Sequence, residues 1–168
     1  MFTYDVGGFL HKRQGSKIEF EMDESLILPP ADEIFLIEHV KSDVLFLKLP
    51  HEIHVQLTDL TTAAQSRCNR CLENFTLPII VPTATREFIL DLEQRDLAPD
   101  EEVFYVDRHT HGLNLYDMVR QEILLHFPAV PICSDGCKGL CDRCGSNLNL
   151  KMCDCPAATS PAAMKIIF

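Results

Sequence analysis

The sequence predicts an α+β protein: an antiparallel, β-rich domain with one main helix and a C-terminal zinc-knuckle module. Three observations carry that expectation. Much of the chain before residue 90 alternates apolar and polar side chains with a period of two, the signature of half-buried strands. A clear helical spacing occurs at 115–126, between a capping residue and a terminating proline. Six of the eight cysteines lie between Cys133 and Cys155, and the other two form Cys68-x-x-Cys71. At 168 residues the chain can bury one sizeable core, and a second full domain is not expected. No apolar run approaches the length of a membrane span, so no membrane role is expected.

The elements follow in order. Gly7-Gly8 and Gly15-Ser16 mark turns. Ile18, Phe20 and Met22 alternate with Glu19, Glu21 and Asp23 in a half-buried strand. Leu26-Ile27-Leu28 then runs into Pro29-Pro30, which stops regular pairing. Two apolar strands at 34–40 and 44–49, separated by Ser42-Asp43, read as a hairpin. Residues 52–60 alternate again through Ile53, Val55 and Leu57, with His54, Gln56 and Thr58 facing the other way. His51 and His54 fit a solvated strand edge and carry no role. Strands at 61–66 and 75–81 flank Cys68-x-x-Cys71, the strand–knuckle–strand plan of half a zinc ribbon. A further strand is expected at 83–90.

From Asp91 to Asp107 the chain is acidic, with Asp91, Glu93, Asp96, Asp100, Glu101, Glu102 and Asp107 around a short apolar strand at 103–106. Paired carboxylates can do acid–base work. Here they lack a histidine at catalytic spacing and fit a solvated loop. In the helix 115–126, Asn114 serves as N-cap and Asp117 follows three residues on. Leu115, Met118, Val119, Glu122 and Ile123 share a face that Leu124 and Leu125 widen, while Arg120 and Gln121 are expected to face solvent. Pro128 ends the helix. Residues 1–155 form one expected domain, and 156–168 a flexible tail.

The cysteines carry the chemistry. Thiolates two or three positions apart in a tight turn can point at one ion, and tetrahedral zinc takes four. The simplest partition places one Zn2+ on Cys141, Cys144, Cys153 and Cys155, and another on Cys68, Cys71, Cys133 and Cys137. Four pairs can be grouped in three ways, so spacing alone does not fix this pairing. Gly136, Gly139 and Gly145 are read as supplying positive φ, and Asn147 and Asn149 as tolerating it. His109 and His111 are weighed against this set and given no metal, since eight cysteines suffice. The opening MFTYDVGG shows no secretory leader, so a reducing, cytoplasmic setting is expected, which favours zinc over disulfides.

The formal net charge is −10, and eight thiolates on two dications take it to roughly −14. Such a chain is no nonspecific nucleic-acid binder. Near the cysteines the balance differs: Arg67, Arg70, Lys138, Arg143 and Lys151 stand against Glu73, Asp135, Asp142 and Asp154. These five basic residues are the candidate partner-binding set. Arg67 and Arg70 fit phosphate contact and local charge balance for the thiolates equally well.

Cys137-Lys138-Gly139-Leu140-Cys141, Cys144-Gly145, Asn147-Leu148-Asn149 and Cys153-Asp154-Cys155 resemble the C-terminal signature of the YceD family. These are the bacterial and plastid proteins described as large ribosomal RNA subunit accumulation proteins. Arg70-Cys71-Leu72-Glu73 with Phe75 is similar to that family's other knuckle, and the helix ending Leu124-Leu125 before Pro128 and Pro131 also matches. The order of elements matches over 1–155, with the specific motifs at 67–75 and 115–155. The segment after Pro156 departs from the family's more basic C-terminus. The resemblance implies a role in large-subunit ribosome biogenesis that supports accumulation of large ribosomal RNA, with no catalytic reaction.

Three function classes are distinguished. A noncatalytic assembly factor would present the five basic residues to large-subunit ribosomal RNA or to a basic ribosomal protein, with no small-molecule substrate. A thiol–disulfide oxidoreductase would use Cys68-x-x-Cys71 or Cys141-x-x-Cys144, but neither pair precedes an expected helix. A zinc hydrolase would need an open coordination position, which four-sulfur sites lack.

Overall fold

The computed structural model describes residues 2–90, 104–107 and 109–155. The acidic stretch 91–103 and the tail 156–168 lie outside the described residues. In chain order the elements are β1 (Thr3–Asp5), α1 (Gly7–Leu10), β2 (Lys17–Glu24), a 3-10 turn (Pro30–Asp32), β3 (Phe35–Leu36), β4 (Val40–Lys48), β5 (Glu52–Arg67), β6 (Asn74–Ile89), β7 (Phe104–Tyr105), β8 (Gly112–Asn114) and α2 (Tyr116–His126). The chain divides into two compact units. One is Met1–Gln65 with Thr76–Ala129, and the other is Ser66–Phe75 with Val130–Phe168.

The first unit is built on a sheet of order β2-β4-β5-β6-β7, with β3 added on β5. β2 runs antiparallel to β4, setting Ile18 opposite Phe46 and Phe20 opposite Val44. Tyr4, Phe20 and Phe46 meet there in tilted and edge-on ring contacts. β4 turns into β5 through 49–51, where the Leu49 amide donates to the Glu52 carbonyl. β3 and β4 also pair antiparallel to β5, whereas β6 and β7 meet in parallel at Phe88 and Ile89. β1 and β8 form a separate antiparallel pair.

Ser42 and Asp43, expected to turn a hairpin, lie inside the continuous strand β4, and the expected first arm 34–40 is extended only at Phe35–Leu36 and at Val40, where β4 begins. Ser42 marks a β-bulge. Lys41 pairs with Thr61, but Asp43 pairs with Thr58, so β5 carries an extra residue there. Asp59 takes it up at φ 51°, as bulge residues in the left-handed region do. The buried phase of β5 shifts accordingly, from Ile53, Val55 and Leu57 to Leu60, Thr62 and Ala64. The Ser42 hydroxyl lies 2.9 Å from the Thr58 carbonyl oxygen and donates to it, serving an acceptor that the interrupted ladder leaves over. Ser-Asp is turn chemistry, and here it closes a bulge.

β6 passes through Pro78 and also through Pro82, where the sequence suggested a break between strands 75–81 and 83–90. The two prolines are four residues apart, so their missing N–H groups face the same edge. Among the described residues, β5 takes one edge of β6, and β7 takes the other only at Phe88 and Ile89. A free edge is where prolines fit within a sheet.

Leu115, Met118, Val119 and Ile123 of the helical stretch are completely buried with Phe46, Ile53, Leu57, Phe88 and Leu113. The apolar face is narrower than expected, since Leu125 is 73% exposed. Helix α2 begins at Tyr116, and Asn114 Oδ1 accepts the Tyr116 amide at 2.9 Å. Arg120 does not simply face solvent. Its Nε and Nη2 donate to the two oxygens of Asp32 at 2.7 and 2.6 Å. Glu122, buried on the helix's inner face, is paired with Arg86 Nη2 at 2.6 Å. The fold of this unit is therefore mostly antiparallel sheet covered by one main helix.

Candidate metal centre

Both groups of cysteines lie in the second unit. Cys68, Cys71, Cys133 and Cys137 form one group, and Cys141, Cys144, Cys153 and Cys155 the other. Within each group the four sulfurs lie within 4.8 Å of one another. All eight thiols are free of disulfides. Of the three possible groupings, the structure brings together the simplest one.

The two Cys-x-x-Cys segments share one backbone design. In the first, the Leu72 amide donates to the Cys68 carbonyl at 2.9 Å and the Cys68 amide to the Glu73 carbonyl at 2.9 Å. In the second, Gly145 donates to Cys141 at 2.9 Å and Cys141 to Ser146 at 2.8 Å. The residue after the second cysteine is left-handed in both, Leu72 at φ 62° and Gly145 at φ 70°. This turn leaves inner amides free to face sulfur. Gly139 is also left-handed, at φ 73°, and a Cβ there would meet the Arg70 carbonyl oxygen at 3.2 Å. Gly136 does not adopt positive φ, and neither do Asn147 and Asn149.

The asparagines act through their side chains instead. Asn147 Oδ1 accepts the Asn149 amide at 3.0 Å, and Asn147 Nδ2 donates to Glu73 Oε1 at 3.2 Å. Asn149 Nδ2 donates to Cys137 Sγ at 3.3 Å. Sequence reasoning missed this contact. The Asn147-Leu148-Asn149 run between ligand pairs was a signal for it, because asparagine offers donors and an acceptor at once.

The sulfurs sit among donors. The amides of Arg70 and Cys133 each approach Cys68 Sγ at 3.4 Å. Burial pushes the Cys68 thiol up, but the amides of Cys71, Cys133 and Arg70 outweigh it and bring it down to about 6. Ser146, through hydroxyl and amide, brings Cys144 down to about 6. Desolvation among the neighbouring sulfurs pushes Cys133 up to about 12. The Cys144 sulfur, with burial, does the same to Cys155. Each group thus holds a thiol that ionises readily beside one that keeps its proton until something positive arrives.

The donor set fits a four-coordinate ion. Tetrahedral metal–sulfur bonds of about 2.3 Å place sulfurs about 3.8 Å apart. Cys68 and Cys137 are separated by 3.8 Å, and so are Cys71 and Cys133. A disulfide would require about 2.05 Å. Amides aimed at sulfur also suit thiolates, which accept hydrogen bonds while bound to a cation. Cys68, Cys71 and Cys137 are buried, whereas the second group is half-buried to exposed. Two ions of the zinc class can be held here.

The five basic residues fall in the same unit, and all are exposed. Arg67 Nε donates to the Leu72 carbonyl at 2.9 Å. Arg70 Nη1 lies 3.4 Å from the carbonyl oxygens of Asp135 and Cys137. These two arginines brace the first knuckle while keeping other donors at the surface. Among the described residues, neither Cys-x-x-Cys pair opens a helix, and no helix is long and apolar enough to cross a membrane.

A family model described as "Large ribosomal RNA subunit accumulation protein YceD" matches residues 58–165. A curated relative from Arabidopsis thaliana, "Large ribosomal RNA subunit accumulation protein YCED homolog 1, chloroplastic", is 27% identical over a 112-residue alignment. That match covers 52% of this chain and 35% of the relative, so the chain matches about a third of the relative's length. No solved structure matches the chain.

Proposed function

This chain belongs to the YceD family, and on that premise we propose that it is a noncatalytic factor in ribosome biogenesis, supporting accumulation of large-subunit ribosomal RNA. The observation that carries the reading is the pair of four-sulfur groups in one unit. Each offers a full tetrahedral ligand set, so every position around a zinc ion would be taken by sulfur and none left for a reacting water. Bound zinc would neutralise the thiolates and fasten 68–71 to 133–137, and 141–144 to 153–155. Zinc then holds a binding surface together and performs no chemistry.

The direct contact is a basic ribosomal protein of the large subunit in preference to naked RNA. Arg67, Arg70, Lys138, Arg143 and Lys151 slightly outnumber Glu73, Asp135, Asp142 and Asp154. Two zinc ions on eight thiolates add about four negative charges, leaving the side chains of 66–75 and 130–155 at about −3. A surface of that sign, on a chain of formal charge −10, attracts basic segments and repels phosphate. A reducing compartment such as the cytoplasm keeps the eight thiols available for metal. The low thiols of Cys68 and Cys144 also meet one requirement of a thiol–disulfide oxidoreductase, but both pairs lie in turns braced within four-cysteine groups.

Depletion of the protein should lower the ratio of large to small ribosomal RNA. The wild-type gene should restore it, and a Cys68→Ser, Cys141→Ser variant should not. Crosslinking in growing cells should capture a large-subunit protein. Unchanged ribosomal RNA on depletion would overturn the proposal. Capture of RNA alone would move the contact to RNA.

A further inference from the structure

We infer that Asn149 couples the two metal sites, so that filling the Cys141, Cys144, Cys153 and Cys155 group strengthens metal binding at the Cys68, Cys71, Cys133 and Cys137 group. The inference rests on the reading of both groups as metal sites. Asn149 lies in the stretch between Cys144 and Cys153, whose two ends are ligands of the second group. Its side chain serves the first group: Nδ2 donates to Cys137 Sγ at 3.3 Å, and Oδ1 accepts the Lys138 amide at 2.8 Å. One amide therefore fixes both a ligand sulfur and the backbone beside it.

Asn149 is held in place from the second group's side. Asn147 Oδ1 accepts both its backbone amide and its Nδ2, at 3.0 and 2.9 Å. Leu140 and Asn147 form an antiparallel bridge, and the Leu148 amide donates to the Gly139 carbonyl at 2.9 Å. Residues 137–141 join the groups directly, since Cys137 belongs to one and Cys141 to the other. Gly139, midway, is left-handed and lies so close to the Arg70 carbonyl that a Cβ would sit 3.2 Å from it.

The physical consequence is a linkage. With no ion on the second group, the Cys153 end of 145–152 is no longer tied through metal to Cys141 and Cys144. The hydrogen bonds of Asn147 and Leu148 then hold the stretch alone, and ordering it costs backbone entropy. Asn149 is then no longer fixed beside Cys137, and the first group loses a donor to one thiolate. An ion on the second group meets the ordering cost in advance and presents the donor. Coupling of this kind is reciprocal, so the first ion must favour the second by the same factor. Hydrogen bonds to ligands from outside the ligand set typically change metal affinity about 10–100-fold. Asn149 is thus a positioning residue for Cys137.

The test uses the full chain, stripped of metal and titrated with Co2+, whose sulfur charge-transfer bands report four-thiolate binding. Zinc competition then gives affinities. In a Cys141→Ser, Cys153→Ser variant, affinity at the remaining site should fall about 10–100-fold. In an Asn149→Ala background, the same two substitutions should change it less than about twofold, and the charge-transfer band of the first site should shift. Asn149→Asp keeps the acceptor for Lys138 but loses the donor to sulfur, so it should weaken the first site at least as much as alanine. Equal affinity with and without the second group's cysteines would overturn the coupling while leaving both sites standing. So would an Asn149→Asp chain that binds like wild type. Absence of cobalt binding by the wild-type chain would overturn the metal reading itself, and the coupling with it.

Discussion

Stripping metal from the protein should unfold the second unit and leave the first standing. The described apolar core of the second unit consists of Cys68, Cys71 and Cys137, with Phe75 and Ile132 half-buried against them. Full burial of a large apolar side chain contributes about 1.5–3 kcal/mol, so those two supply about 2–4 kcal/mol together. A structural zinc ion contributes about 10–16 kcal/mol of apparent binding free energy at neutral pH. The ions therefore outweigh apolar burial in this unit several-fold. The first unit has its own core, including Phe46, Ile53, Leu57, Phe88, Leu113, Met118 and Ile123, all buried to within a few per cent. Hydrogen exchange read by mass spectrometry, before and after removal of metal by a strong chelator, separates the two. Peptides covering 66–75 and 130–155 should lose protection and recover it when zinc is returned. Peptides covering β2, β4 and α2 should change little. Persistent protection at 66–75 and 130–155 in metal-free protein would refute the reasoning.

Other expectations follow from single residues. Leu72 and Gly145 occupy the same left-handed position in matching turns, and a side chain costs about 1–2 kcal/mol there. Gly145→Ala should therefore lower stability to urea by about 1 kcal/mol, while Leu72→Gly should be neutral or stabilising. The paired hydrogen bonds from Arg120 hold the Asp32 carboxyl below its ordinary value, against the burial that raises it. A depressed carboxylate stabilises above the unfolded pKa of about 3.9 and loses that contribution as pH falls through its lower folded value. The stability gap between wild type and Asp32→Asn should thus be full near neutrality and shrink below about pH 4 in acid-denaturation curves. Cys133 and Cys155, pushed up to about 12, keep their protons in the metal-free protein at pH 7. Zinc loading should release at least one proton per site, read by calorimetry in buffers of different ionisation heat, and its affinity should fall as pH is lowered.

Much of this was legible in the sequence, where one physical rule acted alone. Ile18, Phe20 and Met22 announce β2 because period-two alternation has few other causes, and the cluster of short-spaced cysteines announces sulfur groups because thiolates in tight turns have few other uses. The bulge at Asp59 was not legible. A shift of phase from Leu57 to Leu60 looks the same as a strand that has ended, and only the pairing with β4 shows that it continues. Leu72 was hidden because leucine rarely sits left-handed, and the turn imposes that conformation where local preference would not. Arg120 read as solvent-facing because its partner Asp32 lies far away in sequence. Asn149 read as a turn residue because its bond to Cys137 exists only once both loops are closed.

The most direct test is elemental analysis of the full chain purified without added zinc, set beside a count of titratable thiols. Two zinc ions per chain with few reactive thiols is the expected result, since each ion takes four of the eight cysteines. No bound metal, with all eight thiols titrating freely, would contradict the account at its centre.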